Sequence, residues 1–66
     1  MSIEMEFGIC SLEEYKFRHK MTGRAVIELF KKFGVMEYLI RHYEALHTTG
    51  FEYCVQDIDE FIKKRA

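Results

Sequence analysis

Apolar residues near the start of the chain follow a pattern that fits either a strand or a helix. Between positions 3 and 9 they alternate with polar residues or glycine, as in a half-buried strand, and Ser11 would then cap a helix that begins later. A helix explains the same positions as two stripes, one of Ile3, Phe7, Cys10, Phe17 and Met21 and one of Met5, Ile9 and Leu12. Because a lone short strand would have no partner in this chain, we expect one helix from about Ile3 to Lys20 that contacts neighbours on two sides.

Two further helices are predicted in the middle of the chain. Thr22 is a good N-cap residue, and the apolar residues after it fall on one arc of a helix that ends at Gly34. A third helix is expected from about Met36 to His47, with its apolar residues again on one stripe. The sequence Thr48-Thr49-Gly50 should end it.

The last part of the chain predicts a connector and then a short helix. Residues 51–56 are rich in aromatic side chains, and we expect them to be extended and packed on the core. Asp57 fits the N-cap of a last helix, with Glu60 three residues later in a capping box. The whole pattern predicts an all-α fold: a small compact bundle of about four helices, the first long and the last short, in one domain over residues 1–66.

The aromatic content is high for so small a chain. Ten of the 66 residues are aromatic and 48% are apolar, whereas a domain of about 60 residues buries only about 60% of the surface of its unfolded chain. The stripes that carry four of the aromatic residues should face one another and form the core: Phe30, Phe33, Tyr43 and Phe61. A marginal core with surplus apolar surface predicts a partner protein or a homo-oligomer.

Charge is nearly balanced overall but is segregated along the chain. The net charge of −1 argues against a generally basic nucleic-acid-binding protein. The start is acidic, residues 16–32 are mainly basic, residues 37–60 are mainly acidic, and the chain ends in Lys63-Lys64-Arg65. This pattern is typical of solvated helix faces, and a complementary docking surface is the functional alternative.

Few residues offer redox or metal chemistry. Without a signal peptide or a membrane-spanning stretch, we interpret Cys10 and Cys54 as reduced, buried residues of a cytoplasmic protein; a disulfide would depend on geometry that sequence does not give. No paired cysteine or histidine spacing suits zinc, and the acidic run at residues 57–60 lacks the glycine and the spacing of a calcium loop. We therefore expect no metal, no cofactor and no membrane attachment.

One short segment resembles a nuclease motif. Arg41, a polar residue and then His47 fit the loose active-site pattern of the HEPN class of helical ribonucleases, in which the histidine is the acid–base catalyst and the arginine stabilises the phosphate. On a regular helix the two side chains would lie about a third of a turn apart around the axis, so their convergence would need a second chain. We expect no enzymatic activity, with a dimeric HEPN-like ribonuclease as the alternative.

The second and third predicted helices also fit a helix-turn-helix, since a short turn with Gly34 joins them. A recognition helix usually begins with side chains that read base edges. This one begins Met36-Glu37-Tyr38, and Glu37 would repel phosphate. A DNA-binding regulator is therefore a further alternative, and a nucleic-acid partner is not expected.

Several motifs resemble a family of short bacterial proteins catalogued as a domain of unknown function. The more specific ones are Leu46-His47-Thr48-x-Gly50 and Asp57-Ile58-Asp59, and Cys10-x-x-Glu13-x-Tyr15-Lys16 precedes them in the same order. The resemblance covers almost the whole chain. Members of that family are commonly encoded beside a protein that resembles an ADP-ribosyltransferase toxin, so the resemblance implies an antitoxin or accessory role. It supplies no catalytic residues.

These observations together predict a cytoplasmic helical module that binds another protein. The expected partner is an ADP-ribosyltransferase-like toxin encoded nearby, a second copy of the chain, or both. Aromatic residues left over from the core and polar residues at a helix end are the natural contacts, because amphipathic aromatic side chains are typical of interfaces. The candidates are Tyr15, Tyr38, His47, Thr48, Phe51 and Tyr53.

Overall fold

The structure is a computed structural model that describes residues 2–66. It contains five helices: α1 (Ile3–His19), α2 (Gly23–Phe33), α3 (Val35–Arg41), α4 (Tyr43–Leu46) and α5 (Phe51–Arg65). No strand occurs within the described residues, so the all-α prediction and the single long first helix are confirmed. The count is five rather than about four because the predicted third helix is divided into α3 and α4.

Local capping fixes the helix ends in the first half of the chain. The backbone N–H of Met5 donates to the Ser2 hydroxyl at 3.1 Å, and the backbone N–H of Ala25 donates to the Thr22 hydroxyl, also at 3.1 Å. Gly34 ends α2 in the left-handed conformation, with φ at 67°. The predicted cap at Thr22 and the predicted helix end at Gly34 are both confirmed.

The predicted third helix is interrupted at His42, which separates α3 from α4. Its φ of −104° and ψ of 22° are not helical values. The backbone hydrogen bonds from His42 N to Tyr38 O and from Leu46 N to His42 O are kept, and Ala45 N also bonds to His42 O, three residues earlier. The prediction of one unbroken helix is wrong here. The sequence gives no sign of the bend, since neither glycine nor proline occurs at it. Leu46, which follows it, is buried in the core.

The last helix is long, and the predicted extended connector is wrong. α5 begins at Phe51, directly after Gly50, and runs for 15 residues. Asp57 and Glu60 therefore lie inside the helix and form no capping box. The physical reason is an apolar stripe at helical spacing, whose burial outweighs the local preference of the aromatic residues for extended backbone. This stripe consists of Cys54, Val55 and Ile58, all buried.

The core lies where α1, α2, α3 and α5 meet, with α3 at its centre. α3 contacts each of the other four helices, and α1 contacts α2, α3 and α5. The apolar side chains that lose all contact with solvent come from α2, α3 and α5: Val26, Val35, Leu39 and Ile58. Of the predicted core aromatics, Phe30 is buried, and the other three pack against the core while partly exposed: Phe33, Tyr43 and Phe61.

α1 comes close to α3 because its inner face carries small residues. Gly8 and Ser11 are both buried on this face. A Cβ at position 8 would overlap the sulfur of Met36, so glycine leaves room for the end of this side chain between the two helices. The hydroxyl of Ser11 has no hydrogen-bond partner among the described residues, so its contribution here is its small volume.

Lys20 offers a test of how α1 ends. It has φ at 53°, a left-handed conformation that suits glycine and costs other residues about 1 kcal/mol. We expect Lys20→Gly to raise the free energy of unfolding, by up to about 1 kcal/mol, in urea denaturation. Lys20→Ala keeps the Cβ and is the matched control. A Lys20→Gly protein no more stable than Lys20→Ala would contradict the left-handed cap.

Candidate functional site

α1 carries more apolar residues than the core uses. The arc that packs on the other helices consists of Phe7, Gly8, Ser11 and Tyr15 and lies between the two predicted stripes. Much of each stripe is therefore left on the surface, and Phe17 is 78% exposed. Ile3, Cys10 and Phe17, all exposed and seven residues apart, form a line that we call the outer stripe. Met5 and Ile9 are exposed on another side of the helix.

The two cysteines are free thiols in different environments. Cys54 is buried, as predicted, whereas Cys10 is exposed, so the prediction that it is buried is wrong. It is exposed because it lies outside the arc of α1 that faces the core. Burial raises the pKa of the Cys54 thiol, and the Thr49 hydroxyl at 3.7 Å from its sulfur acts in the opposite direction. Cys10 is the accessible thiol of the pair.

A row of four rings runs from the core to the surface on both sides of Phe7. Phe7 is 9% exposed and meets Tyr43 edge-on, with ring centroids 5.5 Å apart. Tyr43 stacks on His47 at 4.2 Å, and Phe7 stacks on Phe51 at 6.2 Å. His47 and Phe51, two of the predicted contact residues, are therefore the exposed ends of this aromatic row.

Local hydrogen bonds hold the His47 end of the aromatic row in place. Nδ1 of His47 lies 2.7 Å from the carbonyl oxygen of Tyr43, to which it donates as the N–H tautomer. The neighbouring Thr48 is exposed, and its hydroxyl donates to the carbonyl of Ala45 at 3.4 Å. The imidazole is thus oriented by the helix that carries it, with Nε2 on the side away from this bond.

Two tyrosines donate hydrogen bonds to aspartates of α5. Tyr15 donates to Oδ1 of Asp59 at 2.8 Å, and Tyr38 donates to Oδ2 of Asp57 at 2.5 Å. Nε2 of His19 lies 3.1 Å from the other carboxylate oxygen of Asp59. These bonds join α1 and α3 to the same helix, so the aspartates of the predicted Asp-Ile-Asp motif have a structural role.

Burial is the main cause of the raised pKa of both tyrosines. It raises the pKa of Tyr38 to about 12, with the hydrogen bond and the negative charge of Asp57 acting in the same direction. It also raises the pKa of Tyr15, aided by Asp59. Tyr15 is only 4% exposed. Among the predicted contact residues it is therefore a core residue that offers no free surface, because its ring packs on Phe30 at 5.4 Å.

Tyr38 lies at a groove between α3 and the end of α5. The groove has a volume of about 480 Å³ and is lined by aromatic and charged side chains. Tyr38 packs on Phe61 with centroids 4.2 Å apart, and the guanidinium of Arg65 lies 3.7 Å from the centre of the Phe61 ring. Both acidic and basic side chains line the groove: Glu37, Arg41, Glu60 and Lys64.

The structure separates the other predicted contact residues into two groups. Tyr53 is 54% exposed and lines a shallow groove with Asp57 and Glu60. Because positions 51 and 53 are about 200° apart around a helix, Tyr53 lies on the side of α5 away from Phe51. Tyr38 belongs with Tyr53, whereas His47, Thr48 and Phe51 lie at the aromatic row.

Arg41 and His47, the residues of the nuclease alternative, have different surroundings. Arg41 lines the groove between α3 and α5, and His47 is not part of that lining. The bend at His42 also lies between the two residues, so they do not belong to one regular helix. In the helix-turn-helix alternative the recognition helix would be α3. This helix has seven residues and contacts all four other helices.

Neither a metal-binding cluster nor a membrane-spanning helix occurs within the described residues. Within residues 2–66, no three side chains of histidine, cysteine, aspartate or glutamate come together as a metal site. None of the helices in this part of the chain combines the length and the apolar character that crossing a membrane requires.

Sequence reasoning found one feature of this surface in part and missed another. The outer stripe has a signal in the sequence, because Ile3, Cys10 and Phe17 repeat every seven residues, and contacts are predicted on two sides of this helix. The sequence does not show which of its apolar residues stay exposed. The aromatic row has no such signal, since Phe7, Tyr43 and Phe51 come from three different helices.

The Tyr38–Asp57 hydrogen bond predicts a loss of stability in alkali. The pKa of Tyr38 is about 12 in the folded protein and about 10 when unfolded, so stability should fall as the pH rises between these values. Tyr38→Phe should be roughly 1 kcal/mol less stable near neutral pH and should lose less over the alkaline range. Urea denaturation at several pH values measures both. Tyr53→Phe is the control, and a Tyr38→Phe slope equal to that of the unmodified chain would contradict the assignment.

Comparison with known proteins gives one match. The family described as Protein of unknown function (DUF3791) matches residues 6–65, which include all of α2, α3, α4 and α5 and most of α1. No curated protein matches the chain, and no solved structure matches it. The family match covers both ends of the aromatic row and two of the three residues of the outer stripe. The chain belongs to this family of proteins of unknown function, DUF3791.

Proposed function

We propose that this protein is a non-enzymatic interaction module that binds another protein through the exposed ends of the aromatic row. The observation that carries the proposal is the position of Phe51, which is 40% exposed while its ring stacks on the nearly buried Phe7. His47 presents a second ring at the other end of the row, stacked on Tyr43. The two rings form a surface of fixed shape.

Fixed aromatic rings are efficient contacts for a physical reason. A partner that binds them gains the burial of a large apolar surface, worth roughly 25 cal/mol per Å². It loses little side-chain entropy, because packing within this chain already restricts the rings. Phe51 is held by Phe7, and His47 is held by its bond to the Tyr43 carbonyl. Aromatic residues of this kind carry much of the binding energy at protein interfaces.

Two exposed acidic residues next in sequence to members of the aromatic row indicate the character of the partner. Glu44 and Glu52 are exposed and lie close in sequence to Tyr43 and Phe51. A complementary partner would place apolar groups over the two rings and basic side chains around them, since rim charges guide association and orientation.

The partner we propose is an ADP-ribosyltransferase-like toxin encoded beside this protein, with this protein as its antitoxin or accessory factor. The support for this identity is the resemblance of the sequence motifs to a family whose members commonly have such a neighbour. Association within the cytoplasm is part of the same proposal.

Isothermal titration calorimetry with the purified neighbouring protein tests this function. We expect Phe51→Ala to weaken binding by at least about tenfold, because it removes a central ring of the contact. Tyr53→Ala is the matched control, since Tyr53 belongs to the same helix and is more exposed at 54%, but lies on its other side. It should change affinity by less than about threefold.

Circular dichroism of each variant checks that the helices remain. Equal affinities for Phe51→Ala and the unmodified chain would contradict the use of the aromatic row. Absence of any complex between the unmodified chain and its neighbour would contradict the proposed partner. Cleavage of RNA by the unmodified chain, lost in His47→Ala, would contradict the non-enzymatic role.

A further inference from the structure

We propose that two copies of this chain form an antiparallel dimer through the outer stripe of α1, with Cys10 of one copy against Cys10 of the other. This surface differs from the aromatic row, so the proposal does not rest on the proposed function.

The outer stripe consists of three exposed apolar residues that follow one another along α1 at intervals of about two turns. Residues seven apart on a helix drift by only about 20° around the axis, so Ile3, Cys10 and Phe17 lie one above another over nearly the whole helix. Ile3 is 60% exposed and Phe17 is 78% exposed, the two highest values among the exposed large apolar residues. Single exposed apolar residues are ordinary, but an aligned set of this kind marks an interaction surface.

The three residues of the outer stripe are evenly spaced about Cys10, so an antiparallel second copy can lay its own outer stripe against them. A two-fold interface uses the same patch on both chains, so the patch must match its own reversed image. If α1 is reversed about Cys10, Ile3 falls opposite Phe17 of the second copy, and Phe17 falls opposite Ile3. The small side chain lies at the crossing point, where it lets the helices approach, and the larger ones pair at the two ends.

Charges beside the outer stripe fit the antiparallel arrangement. The reversed helix of the second copy sets its basic last turn, with Lys16, Arg18 and His19, beside the acidic first turn, with Glu4 and Glu6. Glu6 has no ion-pair partner within residues 2–66. The two ends of α1 are therefore complementary in charge when the helices run in opposite directions.

A parallel pair would lack these advantages. It would bring the two acidic first turns and the like ends of the two helix dipoles together, which is unfavourable. The antiparallel pair brings the acidic start of α1 to the basic end of the second copy and opposes the two dipoles. The charges and the dipole of α1 therefore favour the antiparallel pair over the parallel one.

Sedimentation velocity over a dilution series measures the dimer directly. We expect the unmodified chain to dimerise and Phe17→Glu to raise the dissociation constant by at least about tenfold, because a carboxylate would be buried at the contact. The fold should survive, since Phe17 is 78% exposed in the single chain. Tyr53→Glu changes an exposed aromatic residue of α5 in the same way and should leave the dimer intact.

Oxidation with diamide, which takes two hydrogens from two thiols as they join in a disulfide, tests the register. The unmodified chain and Cys54→Ala should form a covalent dimer on a non-reducing gel, and Cys10→Ser should not. Moving the thiol to position 3, in Cys10→Ser with Ile3→Cys, tests the direction. In an antiparallel pair the two new thiols are about 21 Å apart and cannot join, whereas a parallel pair would join them.

Each contrary result overturns the dimer. These results are a chain that stays monomeric at every concentration, a Phe17→Glu protein that dimerises as well as the unmodified chain, and efficient cross-linking of the thiols at position 3. If Phe17→Glu instead no longer binds the neighbouring protein while the unmodified chain is monomeric, the outer stripe is the contact surface for that protein. Because Phe17→Glu should keep its affinity for the neighbour, failure of the dimer and failure of the proposed function give different results.

Discussion

The close packing of α1 against α3 is the constraint on which the rest of the molecule depends. Gly8 lets the sulfur of Met36 occupy space that any Cβ would fill. α3 contacts all four other helices, and α1 packs on α2, α3 and α5 and meets α4 through Phe7 and Tyr43, so this contact joins the two most connected elements. The hydrogen bonds from Tyr15 and Tyr38 to aspartates then attach α5 to both. A wider separation of α1 and α3 would disturb every one of these contacts.

The same constraint explains why apolar side chains are left outside. A helix that places Gly8 and Ser11 on its inner face has little room there for large residues, and α1 carries several of them. They lie around the buried arc, and the most exposed is Phe17. A chain of this size has few other ways to bury them. An excess that first appears in the composition therefore becomes a particular line of residues on one helix, together with the exposed ends of the aromatic row.

Local chemistry made part of this fold predictable from sequence. Thr22 and Gly34 mark helix ends through a side-chain hydrogen bond and a left-handed backbone, which depend on neighbouring residues alone. The bend at His42 and the start of α5 at Phe51 depend on which side chains the core can bury, so no short motif announces them. The site follows the same division. The exposure of His47, Thr48, Phe51 and Tyr53 agreed with local reasoning, whereas the burial of Tyr15 depends on Phe30 and Asp59 from other helices.

In the dimer that we propose, the apolar surface left on α1 is buried against a second copy of the chain. Thermal unfolding followed by circular dichroism at protein concentrations about a hundredfold apart tests this burial most directly, because a folded dimer that separates on unfolding is stabilised by mass action. We expect a midpoint several degrees higher at the higher concentration, with a much smaller shift for Phe17→Glu. A midpoint independent of concentration in the unmodified chain would contradict it.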